Sequence, residues 1–464
     1  MTQFSVTRTG AIFAGLLALT GPAIAEAHGL RGDVQAPALP ANFDIPANPA
    51  ARPAPGQAWW TLFGDPALNG LIAQAHASST SIELAAARLV LARSAAKAGT
   101  ASQMPNVVLE SSATHAEGPL INAAGESGDL FTARLSVGWE ADLLGRLSGQ
   151  RAAERQDVLA AAALLQGTSL LIEAETARTW FVGRHFVEAA KQAHQISALL
   201  QEAQTIAAKR EALGLAAPSA GEILRRRLDA AQLRESELVL QRDAAWRQLG
   251  FLLGETRSVT PDDPGTNPPP PEVPIGLPAD LMRRRPDIKA AQASLIAADE
   301  RLRSERKGWL PAIGLTASGG AASASLGQLL SSAASSFGLG VLFALPVFDG
   351  GRHKARVAGR QAQRDGAAAA YRETVLRALR EVNDNLQTLQ MRRAALDKAA
   401  TAERESDFLL GRSGQQLANG TQSRLEAIEF QVTALERKIT RSDAMVRALV
   451  ASLNLMEALG GGWE

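Results

Sequence analysis

Two carboxylates stand three residues apart in the stretch Gly420-Thr-Gln-Ser-Arg-Leu-Glu-Ala-Ile-Glu429. Spacing i, i+3 puts Glu426 and Glu429 on one face of a helix that carries both. Acids placed there only to suit a helix dipole would show the same spacing. An earlier turn supplies the contrast: Glu222 has Arg225, not an acid, three residues on. Dipole preference alone therefore does not account for the pair, and its chemistry is electrostatic, with Leu425 offering an apolar neighbour. No other set of side chains converges on a reaction. The six histidines (His28, His76, His115, His185, His194, His353) do not pair at ligand spacing. Cysteine is absent, which removes disulfides, thiolate metal sites and cysteine nucleophiles. The sequence holds no phosphate-cradling glycine loop and no nucleophile elbow. It predicts no catalytic residues, no metal and no cofactor. Lysine and arginine (48) balance aspartate and glutamate (47). The short basic runs at 225–227 and 283–285 read as solvated helix faces, not as a nucleic-acid surface.

The elements that must position the acidic pair are unusual. Residues 130–142 alternate with period two. Phe131, Ala133, Leu135, Val137, Trp139 and Ala141 fall on one face; Thr132, Arg134, Ser136, Gly138, Glu140 and Asp142 fall on the other. From Ser148 to Leu213 there is no proline, and Val158, Leu165, Ile172, Phe186, Ala193 and Leu200 keep a seven-residue beat. That pattern predicts one helix with a narrow coiled-coil stripe, spanning roughly 100 Å at about 1.5 Å per residue. Gly214-Leu-Ala-Ala-Pro218 turns the chain into a second helix. Gly145-Arg146 marks the strand-to-helix corner, where glycine permits the bend.

The plan recurs at an offset of 206 residues. Gly145-Arg146 matches Gly351-Arg352, Met104-Pro105 matches Leu310-Pro311, and Gly214 matches Gly420. A run of matches in one register, with the same order of period changes, argues for internal duplication. The expected organisation is a signal peptide (1–25), a Pro-rich arm (26–67), a first repeat (68–254), a Pro-rich linker (255–273) and a second repeat (274–464). In each repeat a helix leads to a strand, a loop and a returning strand, then to the very long helix, a turn and a last helix. One helical run is expected from Pro66 to about Ser102, and the last returning strand over 337–348. Strands of about ten residues match a transmembrane strand. Four strands cannot close a barrel with a lumen, and open edges are not tolerated in lipid. Several chains must then share one barrel. A structural coiled-coil protein without a transport role is the other reading, and it leaves the four strands without a use.

Five segments carry a family resemblance: Trp59-Trp-Thr-Leu-Phe-Gly-Asp-Pro-Ala-Leu68, Gly276-Leu-Pro-Ala-Asp-Leu-Met-Arg-Arg-Arg-Pro-Asp-Ile288, Trp309-Leu-Pro-Ala-Ile-Gly-Leu315, Leu345-Pro-Val-Phe-Asp-Gly-Gly-Arg352 and Ala458-Leu-Gly-Gly-Gly-Trp463. Together they resemble the TolC-type outer-membrane efflux proteins, in the branch that serves resistance-nodulation-division pumps. The resemblance implies an α+β membrane protein: a homotrimer whose twelve strands form an outer-membrane barrel in lipid, continued by a periplasmic barrel of long helices. It also implies an exit duct for small molecules, docked to a periplasmic adaptor and an inner-membrane pump, with Gly214, Pro218, Gly420 and Thr421 at the periplasmic tip. There Glu426 and Glu429 would ring the entrance, and convergence of six carboxylates would raise their pKa values. Gln422 stands where the family often has a basic residue that locks the closed state, which leaves Arg424 as the available cation. Branch members commonly carry a lipidated N-terminal cysteine; this chain has no cysteine to modify.

Overall fold

A computed structural model describes residues 39–44, 58–117, 127–261 and 264–461. The expected signal peptide, most of the Pro-rich arm, the tip of the loop 116–129 and Trp463 lie outside the described residues. The chain runs through α1 (Pro66–Ser78), α2 (Thr80–Ala101), β1 (Asn106–Ala116), β2 (Gly128–Ala141), α3 (Arg146–Ala212) and α4 (Pro218–Leu252). It continues through α5 (Leu281–Arg284), α6 (Pro286–Arg306), β3 (Ala312–Ser323), β4 (Ser335–Ala344), α7 (Arg352–Ala418) and α8 (Arg424–Ala458).

The strands form one antiparallel sheet in the order β1-β2-β3-β4. Its register brings the alternating positions of all four strands together. Leu109 lies opposite Leu135, Val137 opposite Ala317, Trp139 opposite Leu315, and Leu315 opposite Val341. One face is therefore apolar across the whole sheet, and much of it is exposed: Leu109, Phe337 and Leu339 are 72%, 90% and 83% accessible. The other face sets Glu110 opposite Arg134, and Arg134 opposite Gly320. Gly320 is required there, because a Cβ would collide with the Ala133 carbonyl and the Arg134 backbone. Within the chain β1 and β4 each keep one unpaired edge.

α3 and α7 are each 67 residues long, about 100 Å at the helical rise. α3 packs on α2, α4, α6 and α8, and α7 packs on α6 and α8. Beside the sheet, the helices thus repeat its order, α2-α3-α6-α7. Small residues make the contacts close: Ala160, Ala163, Ala174, Ala177, Ala189 and Ala203 of α3 are all buried. At Gly183 the Trp246 ring occupies the space a Cβ would need, and Trp246 meets Trp180 in a tilted pair with centroids 5.8 Å apart.

Several boundaries differ from the sequence reading. The run expected from Pro66 to Ser102 is broken at Ser79, whose backbone is extended (φ −71°, ψ 115°). The long helix starts at Arg146 rather than Ser148. The last strand ends at Ala344, short of the expected Phe348. Pro346 explains this, since proline has no N–H to donate to a ladder. Val347 and Phe348 consequently sit in the strand-to-helix junction, 83% and 89% exposed.

Candidate functional site

Both turns that join the long helices close with a glycine in the left-handed region, Gly214 at φ 71° and Gly420 at φ 72°. The amide of Leu215 then reaches the Arg210 carbonyl (2.8 Å), and that of Thr421 reaches Gln416 (3.0 Å). These six-to-one bonds satisfy carbonyls the helix end leaves free. Pro218 is the first residue of α4, where its missing N–H costs nothing.

The structure places Glu426 in the first turn of α8 and turns it back on the chain. Ser423 caps the helix by accepting from the Glu426 amide (3.3 Å), while Glu426 accepts from the Ser423 amide and hydroxyl (both 2.9 Å). This reciprocal capping box holds the Glu426 carboxyl below its ordinary range, through the Ser423 backbone bond first and the side-chain bond second. Within one chain the Ser423 donors set the direction of the Glu426 shift; the upward shift expected of a ring belongs to the assembled copies. Glu429 accepts two bonds from Arg227 of α4, at 2.6 and 3.0 Å. The two carboxylates share a helix but not a partner. Leu425 is half-buried against the apolar cluster of Ile196, Leu200, Leu228, Ile428 and Val432, so it belongs to the packing of α3, α4 and α8.

Arg424 donates two 2.7 Å bonds to Glu202 of α3. That pairing lowers the Glu202 pKa, mainly through the hydrogen bonds. Gln422 makes no ion pair and accepts from the Ser413 hydroxyl (2.7 Å). The start of α8 is thus clasped from two sides, by Arg424–Glu202 and by Arg227–Glu429. Sequence reasoning missed Arg227 and Glu202. The 225–227 basic run was the available signal, but only the packing of α4 on α8 gives one of its arginines a target.

At the strand-to-helix corners Gly145 (φ 73°) and Gly351 (φ 86°) take the left-handed conformation directly before α3 and α7. Asp142, expected on the polar face of its strand, instead caps α3 by accepting from the amides of Leu147 (3.1 Å) and Ser148 (2.6 Å). Asp349 does the same for α7, accepting from His353 (2.7 Å) and Gly351 (2.9 Å). Arg146 pairs with Glu140 at 2.7 and 3.0 Å. Arg352 has no ion-pair partner among the described residues.

The segment around Trp59 is anchored on the middle of α3. Asp65 pairs with Arg184 and accepts from the Trp180 indole (2.9 Å). Glu173 accepts from the Trp59 indole (2.7 Å) and bonds His76 (2.8 Å). Burial raises the Glu173 pKa against those two partners. In the second half Arg285 binds Asp287, Glu381 of α7 and the Ala458 carbonyl, each at 2.8 Å. The part of the arm that is described also rests on α7: Asn383 donates to Asp44 (2.9 Å) and Phe43 is buried.

An open-edged sheet with one apolar face, carried on helices of about 100 Å, defines a membrane channel subunit rather than an enzyme. The sequence pattern of one family, described as outer membrane efflux protein, matches residues 71–255 and again 277–461. The chain belongs to the outer membrane efflux protein family: it is an outer-membrane channel of efflux systems with a periplasmic portion, and not an enzyme. It is 26% identical over 470 residues to the cation efflux system protein CusC of Escherichia coli, covering 97% of this chain and 98% of that protein. Outer membrane protein OprJ of Pseudomonas aeruginosa is 25% identical, covering 88% of this chain and 86% of its own. The solved outer-membrane channel OprN superposes with a TM-score of 0.81 at 25% identity, covering 93% of this chain and 99% of that one.

Proposed function

We propose that three copies of this chain close a single conduit that serves as the exit duct of a tripartite efflux system. The observation that carries the assembly is the sheet. β1 and β4 each hold an unpaired edge beside an exposed apolar face, and in lipid such edges must be paired. Pairing β4 of one copy with β1 of the next satisfies every edge. Three copies give twelve strands, and the same succession sets α7 against the neighbouring α2. An aqueous lumen then carries small molecules outward from a periplasmic adaptor and an inner-membrane pump of the resistance-nodulation-division kind, which supplies the energy. The loops 116–129 and 323–335 face the exterior, and the turns at Pro218 and Gly420 face the periplasm.

In this reading the start of α8 is the gate. Three-fold symmetry brings Glu426 and Glu429 of each copy around the axis at the periplasmic entrance, where such a ring favours cations. Arg424–Glu202 and Arg227–Glu429 hold α8 against α3 and α4 in the closed state, and opening breaks them. The test is a bilayer recording of the wild type and of Glu426→Ala/Glu429→Ala. The double variant loses cation selectivity and block by trivalent cations. Unchanged selectivity and block in a correctly assembled double variant would remove the ring from the mechanism. The trimer is tested separately by light scattering of detergent-extracted protein, where a monomeric channel would overturn it.

A further inference from the structure

Basic side chains concentrate where the four helices beside the sheet meet the strands. No acid occurs between Glu83 and Glu110, a stretch that carries Arg93 and Lys97 close below β1. None occurs between Asp349 and Asp365, where α7 opens with Arg352, Lys354, Arg356 and Arg360. The whole chain, by contrast, is almost neutral.

These charges divide by helix face. On the inner side a cavity of about 570 Å³ is lined by Arg146, Glu154, Arg301, Glu305 and Arg356, together with Ala312 and Ala344 of the polar sheet face. Here the arginines are matched within the protein: Arg301 pairs with Asp157, Arg356 with Glu305, and Arg146 with Glu140. Two positions along an α-helix is a rotation of about 200°. Lys97 lies two positions from Gly99, which abuts Glu154. Arg155 lies two positions from Asp157, Arg303 two from both Arg301 and Glu305, and Lys354 two from Arg356. Each helix therefore presents at least one exposed basic side chain on the side continuous with the apolar sheet face, and on α2 Arg93 lies one turn from Lys97 on that same side. Lys97, Arg155 and Lys354 have no hydrogen-bond or ion-pair partner among the described residues. Arg303 pairs with Asp299 and Glu300 on its own helix and stays 48% exposed.

Between these charges and the strands, all four junctions hold exposed apolar residues, among them Met104 (62%), Leu143 (73%), Leu310 (42%) and Phe348 (89%). The order along each helix is thus a basic residue, an apolar anchor, then the apolar sheet. At about 1.5 Å per residue, Lys97, Arg303 and Lys354 lie within roughly 15 Å of the strands and Arg155 within roughly 21 Å. That is the profile of a surface crossing from hydrocarbon into a headgroup layer, where basic side chains meet anionic lipids.

We propose that Lys97, Arg155, Arg303 and Lys354 form a basic collar that binds anionic phospholipid headgroups in the periplasm-facing leaflet. The proposal rests on the outer-membrane, three-copy reading above, which would place twelve such side chains around one circumference. Charge complementarity selects the lipid, since exposed cations beside an apolar anchor, three of the four without a partner among the described residues, favour a phosphodiester at the end of an acyl chain.

The test uses the full-length channel in vesicles of phosphatidylethanolamine containing brominated phosphatidylglycerol or brominated phosphatidylcholine, with quenching of the protein's tryptophans as the readout. Trp139 and Trp309 lie in or beside the junction and are 39% and 42% exposed. The expected result is a several-fold preference for the phosphatidylglycerol. It falls toward parity in Lys97→Gln/Arg155→Gln/Arg303→Gln/Lys354→Gln, and it falls in the wild type as sodium chloride is raised. Inorganic phosphate at matched ionic strength displaces no more lipid than chloride does. A wild type without preference, or a quadruple variant that keeps it, would overturn the collar, as would specific displacement by inorganic phosphate. Single-channel conductance, recorded in the same vesicles, confirms that the variant is folded and inserted. Absence of quenching by either brominated lipid would instead count against the membrane placement itself.

Discussion

Glu426 and Glu429 resemble each other in sequence and differ in their surroundings. Glu426 completes a capping box with Ser423, and Glu429 is held by Arg227. Because the folded-state pKa of Glu426 is depressed, its contribution is present above the unfolded value. It is lost as pH falls through the folded one. Ser423→Ala removes the hydroxyl donor and keeps the backbone one, so it should raise the Glu426 pKa only part of the way back, read by carboxyl-carbon NMR. It should also move the acid-side fraying of the α8 start to higher pH. A Glu426 titration unmoved by that change would show that the Ser423 hydroxyl contributes nothing to the depression. Arg227→Ala and Glu202→Ala should each raise the open probability of the channel, and the two together should exceed either alone. An equal effect of single and double variants would mean that one of the two clasps holds nothing.

At the scale of elements, the buried pair between Asp65 and Arg184 ties the short α1 to the middle of α3. Both side chains are only 9% exposed. Removing one partner from a buried pair leaves an uncompensated charge, which costs about 3–5 kcal/mol. Arg184→Ala should accordingly lower the thermal midpoint far more than Arg303→Ala, whose pair is exposed, in parallel calorimetry scans. The corners give a second contrast. Gly145→Ala and Gly351→Ala each force a Cβ into the left-handed region, at roughly 1–2 kcal/mol apiece, without touching a contact of the core. Gly320→Val should do more, because β2 and β3 approach too closely there for a side chain. The expected outcome is loss of membrane insertion, followed by urea extraction of the membrane fraction. A fully inserted Gly320→Val channel would show that the close β2–β3 approach is not needed.

For the whole molecule, topology is the open prediction. The chain has no cysteine, so single cysteines report cleanly. A thiol reagent that cannot enter intact cells should label position 124 and spare position 420. The opposite pattern would invert the proposed orientation. Deleting the gene and profiling sensitivity to a broad compound panel should reveal the cargo, which neither the lumen residues nor the gate residues specify.

The sequence alone determined the periods. Alternation in 130–142 and the seven-residue beat from Val158 onward come from which face of an element meets water, and that is local information. Glycine at the corners and turns was equally legible, since few other residues accept positive φ. The offset of 206 residues set the plan of elements, and the motifs around Trp59, Arg285 and Trp309 pointed to the family. Tertiary structure decided the partnerships. Arg227 and Glu429 are 202 residues apart, Arg424 and Glu202 are 222 apart, and Asp65 and Arg184 are 119 apart. No local period encodes such distances; they exist only because α3 gathers α4, α8 and the α1 segment along its length. The same packing sets Leu425 against the apolar cluster of α3, α4 and α8. It also divided the basic residues of the helix ends into a neutralised inner set and an exposed outer one. Charge can be counted along a chain, but which charges meet is fixed by the faces that packing brings together.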